Sequence, residues 1–212
     1  MDIYSFTVGP FAENTYLLIN EGKALLIDPG FTSPKEFGQA SSLLESENAS
    51  LEGILLTHAH VDHALGLPLV HQSYKQVPVY LSDKDRYLWQ NFASQASTFG
   101  MKAEGFNFMP EVLPVQKEWS ISNFTFDVRY TPGHAPDHVS LYQAEDEILI
   151  AGDALFKEGI GRTDLYKGDM NTLKKSIQTE LYTLPDNTVV YPGHGSDTTI
   201  GHEKQSNPFV PG

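Results

Sequence analysis

The sequence predicts a layered α/β sandwich built from two halves of similar plan. Three observations predict it. Each half opens on short strand-like runs and then passes into helices. Helical spacing follows only some of the strands, which suits sheets covered on some faces rather than one doubly wound sheet. In both halves, histidines and carboxylates are delivered just after strand ends. The chain has 212 residues, with no low-complexity segment and no evident linker, so it is expected to be one domain over 1–212.

The elements follow in order. Ile3–Val8, Thr15–Ile19 and Ala24–Ile27 are read as strands, the last ending in Asp28-Pro29-Gly30. Ser33-Pro34-Lys35-Glu36 marks a helix start, with Ser33 as cap, Pro34 at the first helical position and Glu36 closing a capping box. That helix should run to about Glu47. Leu51 to Leu56 is mostly apolar and reads as a buried strand. Leu65, Leu69 and Val70 give helical spacing to about Tyr74, and Val77–Leu81 is a short strand. Ser82 to Asp85 should cap a helix that Gly100 ends. Strands follow at Glu118–Ile121, Phe124–Tyr130, Val139–Gln143 and Ile148–Ala151. Asp169 caps a helix to about Tyr182, stopped by Pro185, and Thr188–Tyr191 is the last strand. Tyr4, Phe6 and Tyr16 alternate in their strands and are expected in the core, as are Trp89 and Phe92 on one helix face.

Thr57-His58-Ala59-His60-Val61-Asp62-His63 is the most informative segment: four side chains able to hold a metal lie within six residues. Leaving a buried strand, His58 and His60 can point to one side and grip one ion, while Asp62 and His63 begin the next turn and can face a second. Imidazole and carboxylate without thiolate suit Zn, Mn or Fe. Strand-then-loop histidines recur at Thr131-Pro132-Gly133-His134 and Tyr191-Pro192-Gly193-His194. Between them, Ile148–Ala151 leads into Gly152-Asp153, where a carboxylate after a small residue is placed to bridge two ions. Asp28 ends a strand beside these loops and is expected to orient a metal-bound water or a ligand histidine. His71 is expected at the surface. His138 reads equally as a packed strand histidine and as a support to the site, and His202 as a residue packed beneath it.

Composition narrows the function classes. The formal net charge is −13, which disfavours nucleic acid as a partner. No apolar run is long enough to cross a bilayer, and the N-terminus shows no signal-peptide pattern. There is no cysteine, hence no disulfide, thiolate ligand or cysteine nucleophile, which agrees with a cytoplasmic home. Acidity also weighs against an anionic substrate unless cations gather locally. Lys157 and Arg162 follow Asp153 in a glycine-bounded loop and are candidates for that anchor, although Arg162 can equally pair with Asp164. Lys174 and Lys175 read as a solvated helix face.

Together, His58-x-His60-x-Asp62-His63, His134, Asp153 and His194 resemble the metallo-β-lactamase superfamily pattern, in its order along the chain. Phe11-Ala12-Glu13-Asn14-Thr15-Tyr16, Gly161-Arg162-Thr163-Asp164, Thr198-Thr199-Ile200-Gly201-His202-Glu203 and Asn207-Pro208-Phe209 are similar to its short glyoxalase II-like branch. The resemblance implies an αββα sandwich with the metal site at the edge between two mixed sheets. It implies two divalent ions, zinc first, with iron or manganese as alternatives. By it, His58, His60 and His134 hold one ion, Asp62, His63 and His194 the other, and Asp153 bridges them. Two departures bear on the substrate. The sequence stops at Gly212 without the helical C-terminal extension of the longer glyoxalase II enzymes, and Asp137 stands where a glycine is usual.

The implied activity is hydrolysis of an acyl thioester, such as an acyl-glutathione, by a hydroxide shared between two cations about 3.5–4 Å apart. Asp62 is the expected proton acceptor. One rival is a mononuclear iron persulfide dioxygenase of the same fold, which the Gly161–Asp164 run does not exclude. A β-lactamase fits less well, because a thiolate zinc ligand is impossible here. A non-enzymatic metal module fits poorly with a ligand set that leaves open positions.

Overall fold

The computed structural model describes all residues, Met1–Gly212, and the chain divides into two compact units. The first comprises Met1–Leu113 with Ser120–Phe124; the second comprises Pro114–Trp119 with Thr125–Gly212.

In the first unit, β1 (Asp2–Val8), β2 (Glu13–Asn20) and β3 (Lys23–Ile27) form an antiparallel meander. β4 (Ser50–Leu55), β5 (Val79–Leu81) and β6 (Glu111–Val112) then add in parallel, giving the order β1-β2-β3-β4-β5-β6. Nearly all of β2 and β3 is buried, which explains their continuous apolar runs. Tyr16 lies in this core as expected, whereas Tyr4 and Phe6 on the edge strand β1 are only half-buried. Because β3 and β4 are parallel, their C-terminal ends lie side by side, and Asp28 N–H donates to Leu55 O. Asp28 and the His58–His63 segment are thus delivered from the same end of the sheet.

Helix α1 (Pro34–Ser46) starts as expected, with the Ser33 side chain accepting from Glu36 N–H. The Glu36 carboxylate also accepts from Thr32 and Gly9 N–H, tying the β1–β2 turn to the helix start. The helix expected around Leu65–Tyr74 is two short helices, α2 (Val61–Ala64) and α3 (Leu67–Ser73), with Gly66 between them. The helix expected to begin at Ser82 begins later. It splits at Asn91 into α4 (Tyr87–Gln90) and α5 (Phe92–Thr98). Asn91 Nδ2 donates to Tyr87 O, a local side-chain bond that competes with helix continuation. Trp89 and Phe92 are buried as expected and pack on Phe106.

In the second unit, β8 (Phe124–Tyr130), β9 (Val139–Gln143) and β10 (Ile148–Gly152) are antiparallel, and β13 (Val189–Pro192) adds to β10 in parallel. The sheet runs β14-β13-β10-β9-β8-β7, with β7 at Trp119–Ile121 and β14 at Thr198–Thr199. Two reversals make β8 run in the same direction as β10 and β13. The C-terminal ends of all three therefore lie along one edge, and from those ends come His134, Asp153 and His194. Helix α6 (Met170–Ser176) is capped by Asp169, which accepts from Thr172 N–H, and continues to Leu181 through a wider, π-type turn. Leu173, Ile177, Leu181, Leu149, Val190 and Ile200 share this unit's core.

Short elements escaped the sequence reading: β6, β14, the hairpin of β11 (Leu155–Phe156) with β12 (Gly159–Ile160), and α7 (Ile200–Ser206). Two-residue strands are too short to show periodicity. The order of the longer elements and the two mixed sheets nonetheless follow the predicted α/β plan.

Candidate metal centre

The candidate ligands come in two sets, one from each unit. In the first, β4 carries the chain into Thr57, and Asp28 at φ 48 turns it away from β3. The Asp28 carboxylate accepts from Thr57 N–H at 2.7 Å and from Thr57 Oγ1–H at 2.7 Å. It also lies 3.0 Å from His63 Nδ1. A carboxylate can only accept, so that imidazole carries its proton on Nδ1 and presents Nε2 as a metal-binding lone pair. Thr57 Oγ1, its own proton given to Asp28, accepts from His58 Nδ1 at 3.0 Å, which likewise leaves His58 Nε2 for a cation. One carboxylate thereby sets two imidazole tautomers, one directly and one through a hydroxyl.

The three rings are crowded together. His58 lies 4.7 Å from His60 and 4.2 Å from His63, centroid to centroid. All three are buried, and Asp62 is half-buried in the first turn of α2. From α5, Gln95 Nε2 donates to Ala59 O between the first two histidines, pinning the loop backbone. Gly30 admits no larger residue, because a Cβ there would fall on the Glu13 carboxylate and the Asp62 carbonyl. Glu13, Asp28 and His63 form a buried cluster. Burial pushes the Glu13 carboxyl well above the usual range, although the His63 imidazole pulls it down.

In the second set, Asp153 Oδ2 lies 3.3 Å from His134 Nε2 and 3.6 Å from His194 Nε2. His134 Nδ1 is 2.8 Å from the Arg162 carbonyl, which can only accept, so His134 is protonated there and its Nε2 lone pair faces the carboxylate. Two electron-rich atoms aimed at each other suit a shared cation. The backbone of Asp153 is held too. Its N–H donates to His138 Nε2 at 3.0 Å, so His138 must carry its proton on Nδ1, 2.8 Å from Thr131 Oγ1. Thr131 then donates to Ser140 Oγ, and Ser140 to Ala151 O. Of the two readings of His138, support to the site is the one its hydrogen bonds favour.

The glycine-bounded loop after Asp153 approaches closely. A Cβ on Gly161 would fall on the Asp153 carbonyl and near His134 Nδ1. Arg162 departs from the anchoring expectation: its fork is taken by Asp164, with bonds of 2.6 and 2.7 Å, and its contribution to the site is its carbonyl. Those bonds hold the Asp164 carboxyl down at about 2. Lys157 is exposed and makes no ion pair. His202, expected beneath the site, is partly exposed and bonds Glu158 at 3.0 Å. His71 is half-buried rather than exposed and stacks on Phe108 at 5.2 Å.

Sequence reasoning missed Thr57, Glu13, Gln95 and the buried pair Glu203–Asn207. Thr57 carried a local signal, a hydroxyl directly before the first candidate histidine; Glu13, Glu203 and Asn207 lie in the family-like motifs but nothing in those motifs gave them a role. Glu203 accepts from Thr198 Oγ1, Glu158 N–H and Asn207 Nδ2, while Asn207 Nδ2 also donates to Gly159 O. The family-like tail thus clamps the β11–β12 hairpin that leads into Gly161 and Arg162.

Two ligand sets at strand ends, with imidazoles fixed by carboxylate and carbonyl partners, define a metal-dependent hydrolase fold. The metallo-β-lactamase superfamily model matches residues 8–194, and the chain belongs to that superfamily. Its fold is the metallo-β-lactamase fold. It is 38% identical to a probable metallo-hydrolase of Streptococcus pyogenes serotype M6, over 99% of this chain and 90% of that one. It is 36% identical to the hydroxyacylglutathione hydrolase GloC of Haemophilus influenzae, over 99% and 98%. Among solved structures it resembles BLEG-1, a B3 metallo-β-lactamase, at 36% identity and TM-score 0.90, covering 100% of both chains. It also resembles TTHA1623 in a di-iron-bound form, at 34% identity and TM-score 0.84, over 98% and 100%. The donor set here, imidazole and carboxylate alone, fits divalent ions of that kind. No helix is long and apolar enough to cross a membrane.

Proposed function

We propose that the protein is a glyoxalase II-like thioester hydrolase with two divalent ions, acting on an acyl-glutathione or a similar small thioester. The observation that carries this reading is the Asp153 carboxylate beside two imidazole Nε2 atoms, in a chain alike over its whole length to a hydroxyacylglutathione hydrolase. His58, His60 and His134 would hold one ion, Asp62, His63 and His194 the other, and Asp153 both. Zinc is the first choice, and the di-iron form of a relative supports iron as the alternative. When bound, such ions make water a nucleophile near neutral pH and polarise an acyl carbonyl.

The chain's own residues supply the rest. Asp28 and Thr57 hold His63 and His58 in the ligating tautomer, and the Arg162 carbonyl does the same for His134. Asp62 accepts the proton of the attacking water. A thiolate leaves readily without a general acid, which suits a site whose nearby acid-base groups are committed to ligation. Lys157 is the unpaired cation available to an anionic thioester.

The likeness to BLEG-1 favours β-lactam hydrolysis as a second reading, although this chain has no cysteine to supply a thiolate ligand. An amide nitrogen needs a proton to leave, so we expect thioesters to be the better substrates. A mononuclear iron persulfide dioxygenase is the third. Metal analysis with parallel assays of lactoylglutathione hydrolysis, nitrocefin hydrolysis and glutathione persulfide oxidation separates them. Near two ions per chain with thioesterase activity dominant supports the proposal. One iron with oxygen uptake replaces it.

A further inference from the structure

The first unit holds a groove of about 810 Å³ that none of the candidate metal ligands lines. Its walls are Leu65 and Leu69 from the α2–α3 region, Phe92 from α5, and Phe106 and Phe108 from the segment after α5. The aromatic wall is ordered by its own stacking: Phe106 lies 4.1 Å from Trp89 and 4.5 Å from Phe92, and Phe108 stacks on His71. A groove of this size, mainly apolar with a few polar groups at its rim, has the anatomy of a small-molecule site.

The rim carries the second observation. Lys75 and Lys102 both line the groove, both are exposed, and neither makes an ion pair. Glu104 is the only acid in the lining, so the rim is net positive in a chain of net charge −13. In so acidic a protein the average surface repels anions, and two uncompensated ammonium groups beside an aromatic floor reverse that locally. The apolar walls favour an alkyl or aryl body, and the lysines favour a negative head.

We propose that this groove binds an amphiphilic organic anion, an acyl or aryl carboxylate whose chain lies along Leu69, Phe92 and Phe106 and whose carboxylate meets Lys75 and Lys102. The site is separate from the metal ligands and stands whether or not the hydrolase reading holds.

The test is calorimetric titration of the metal-loaded protein with decanoate, with 1-decylamine as the probe of opposite charge. One saturable decanoate site is expected, weakening as salt rises, and little binding of the amine. Lys75→Glu with Lys102→Glu should weaken decanoate at least about tenfold. Lys174→Glu with Lys175→Glu makes the same net-charge change on the second unit and should leave binding within about twofold. Leu69→Trp, which fills the groove while keeping an apolar surface, should abolish binding; circular dichroism checks that each variant is folded. Absence of a saturable site, equal binding of the amine, or equal losses in the two double variants would each overturn the proposal.

Discussion

Asp28 Oδ2 lies 3.0 Å from His63 Nδ1, and the same carboxylate accepts both the amide and the hydroxyl of Thr57. Three groups are therefore fixed by one buried side chain at the end of β3. Asp28→Asn keeps a residue type that tolerates φ 48, so the fold should persist. It offers one acceptor where three bonds need two, and places an N–H₂ against donors. Loss of such an orienting partner typically costs about 10–100-fold in metal affinity. Competition with a chromophoric chelator should show that loss, and unchanged affinity would remove Asp28 from the orienting role.

Asp62→Ala should cut turnover severely, by on the order of 10²-fold or more, because it removes a proposed ligand and the proposed proton acceptor together. Asp62 is half-buried in a short helix, so the variant should stay folded. Near-normal turnover with one ion per chain would show that the second ion is dispensable.

Much of this was legible in the sequence because ligands and strands signal each other. Apolar runs that end in His or Asp placed β4, β8, β10 and β13 within a residue or two of their ends. The parallel additions then explain why those ends gather. What was not legible depends on long-range bonds. Nothing near Glu13 in sequence says that it is buried beside His63, 50 residues on, at 3.9 Å. At the Asn91 break between α4 and α5, the Asn91 and Gln95 side chains donate to the Tyr87 and Leu88 carbonyls, bonds that propensity cannot see. His138 read ambiguously because its role depends on the amide of Asp153, supplied by a different strand. Arg162 reads as a cation in the sequence, while its contact with His134 is made by a carbonyl that any residue has.

Lys157 and Arg162 should separate by kinetics. Lys157→Ala should raise KM for an anionic thioester about three- to tenfold, with kcat little changed and the effect fading at high salt. A neutral thioester should show no change. Arg162→Ala leaves the carbonyl in place but frees Asp164, so it should affect both substrates alike. Equal losses on the two thioesters for Lys157→Ala would assign it to loop structure instead.

The Arg162–Asp164 fork also has a pH signature. The bonds from Arg162 lower the Asp164 carboxyl to about 2. A carboxyl depressed in the folded state stabilises the fold fully above its unfolded value, about 3.9. That contribution is lost as pH falls through the folded value. Asp164 is exposed, so the effect on global stability is small. Carboxyl ¹³C shifts should show Asp164 still ionised at about pH 3, where an ordinary aspartate is mostly protonated. A midpoint near the ordinary value would mean the fork is open in solution.

The last prediction concerns the tail. Glu203 is fully buried and accepts from three donors on three segments: Thr198, Glu158 and Asn207. Asn207 in turn donates to Gly159 O, and its Oδ1 accepts from Phe209 and Val210 N–H. Glu203→Ala strands buried donors and should destabilise the second unit by about 3 kcal/mol. Glu203→Gln keeps the volume but must place an N–H₂ against a donor, so it should cost less, about 1–2 kcal/mol. The clamp's target is the β11–β12 hairpin, which leads to the carbonyl that fixes His134. Both variants should therefore lose metal affinity in the order of their stability losses. Denaturant melts of the metal-free protein measure the first quantity and chelator competition the second. Lower stability with unaltered metal affinity would confine the clamp to the fold and uncouple it from the ligands.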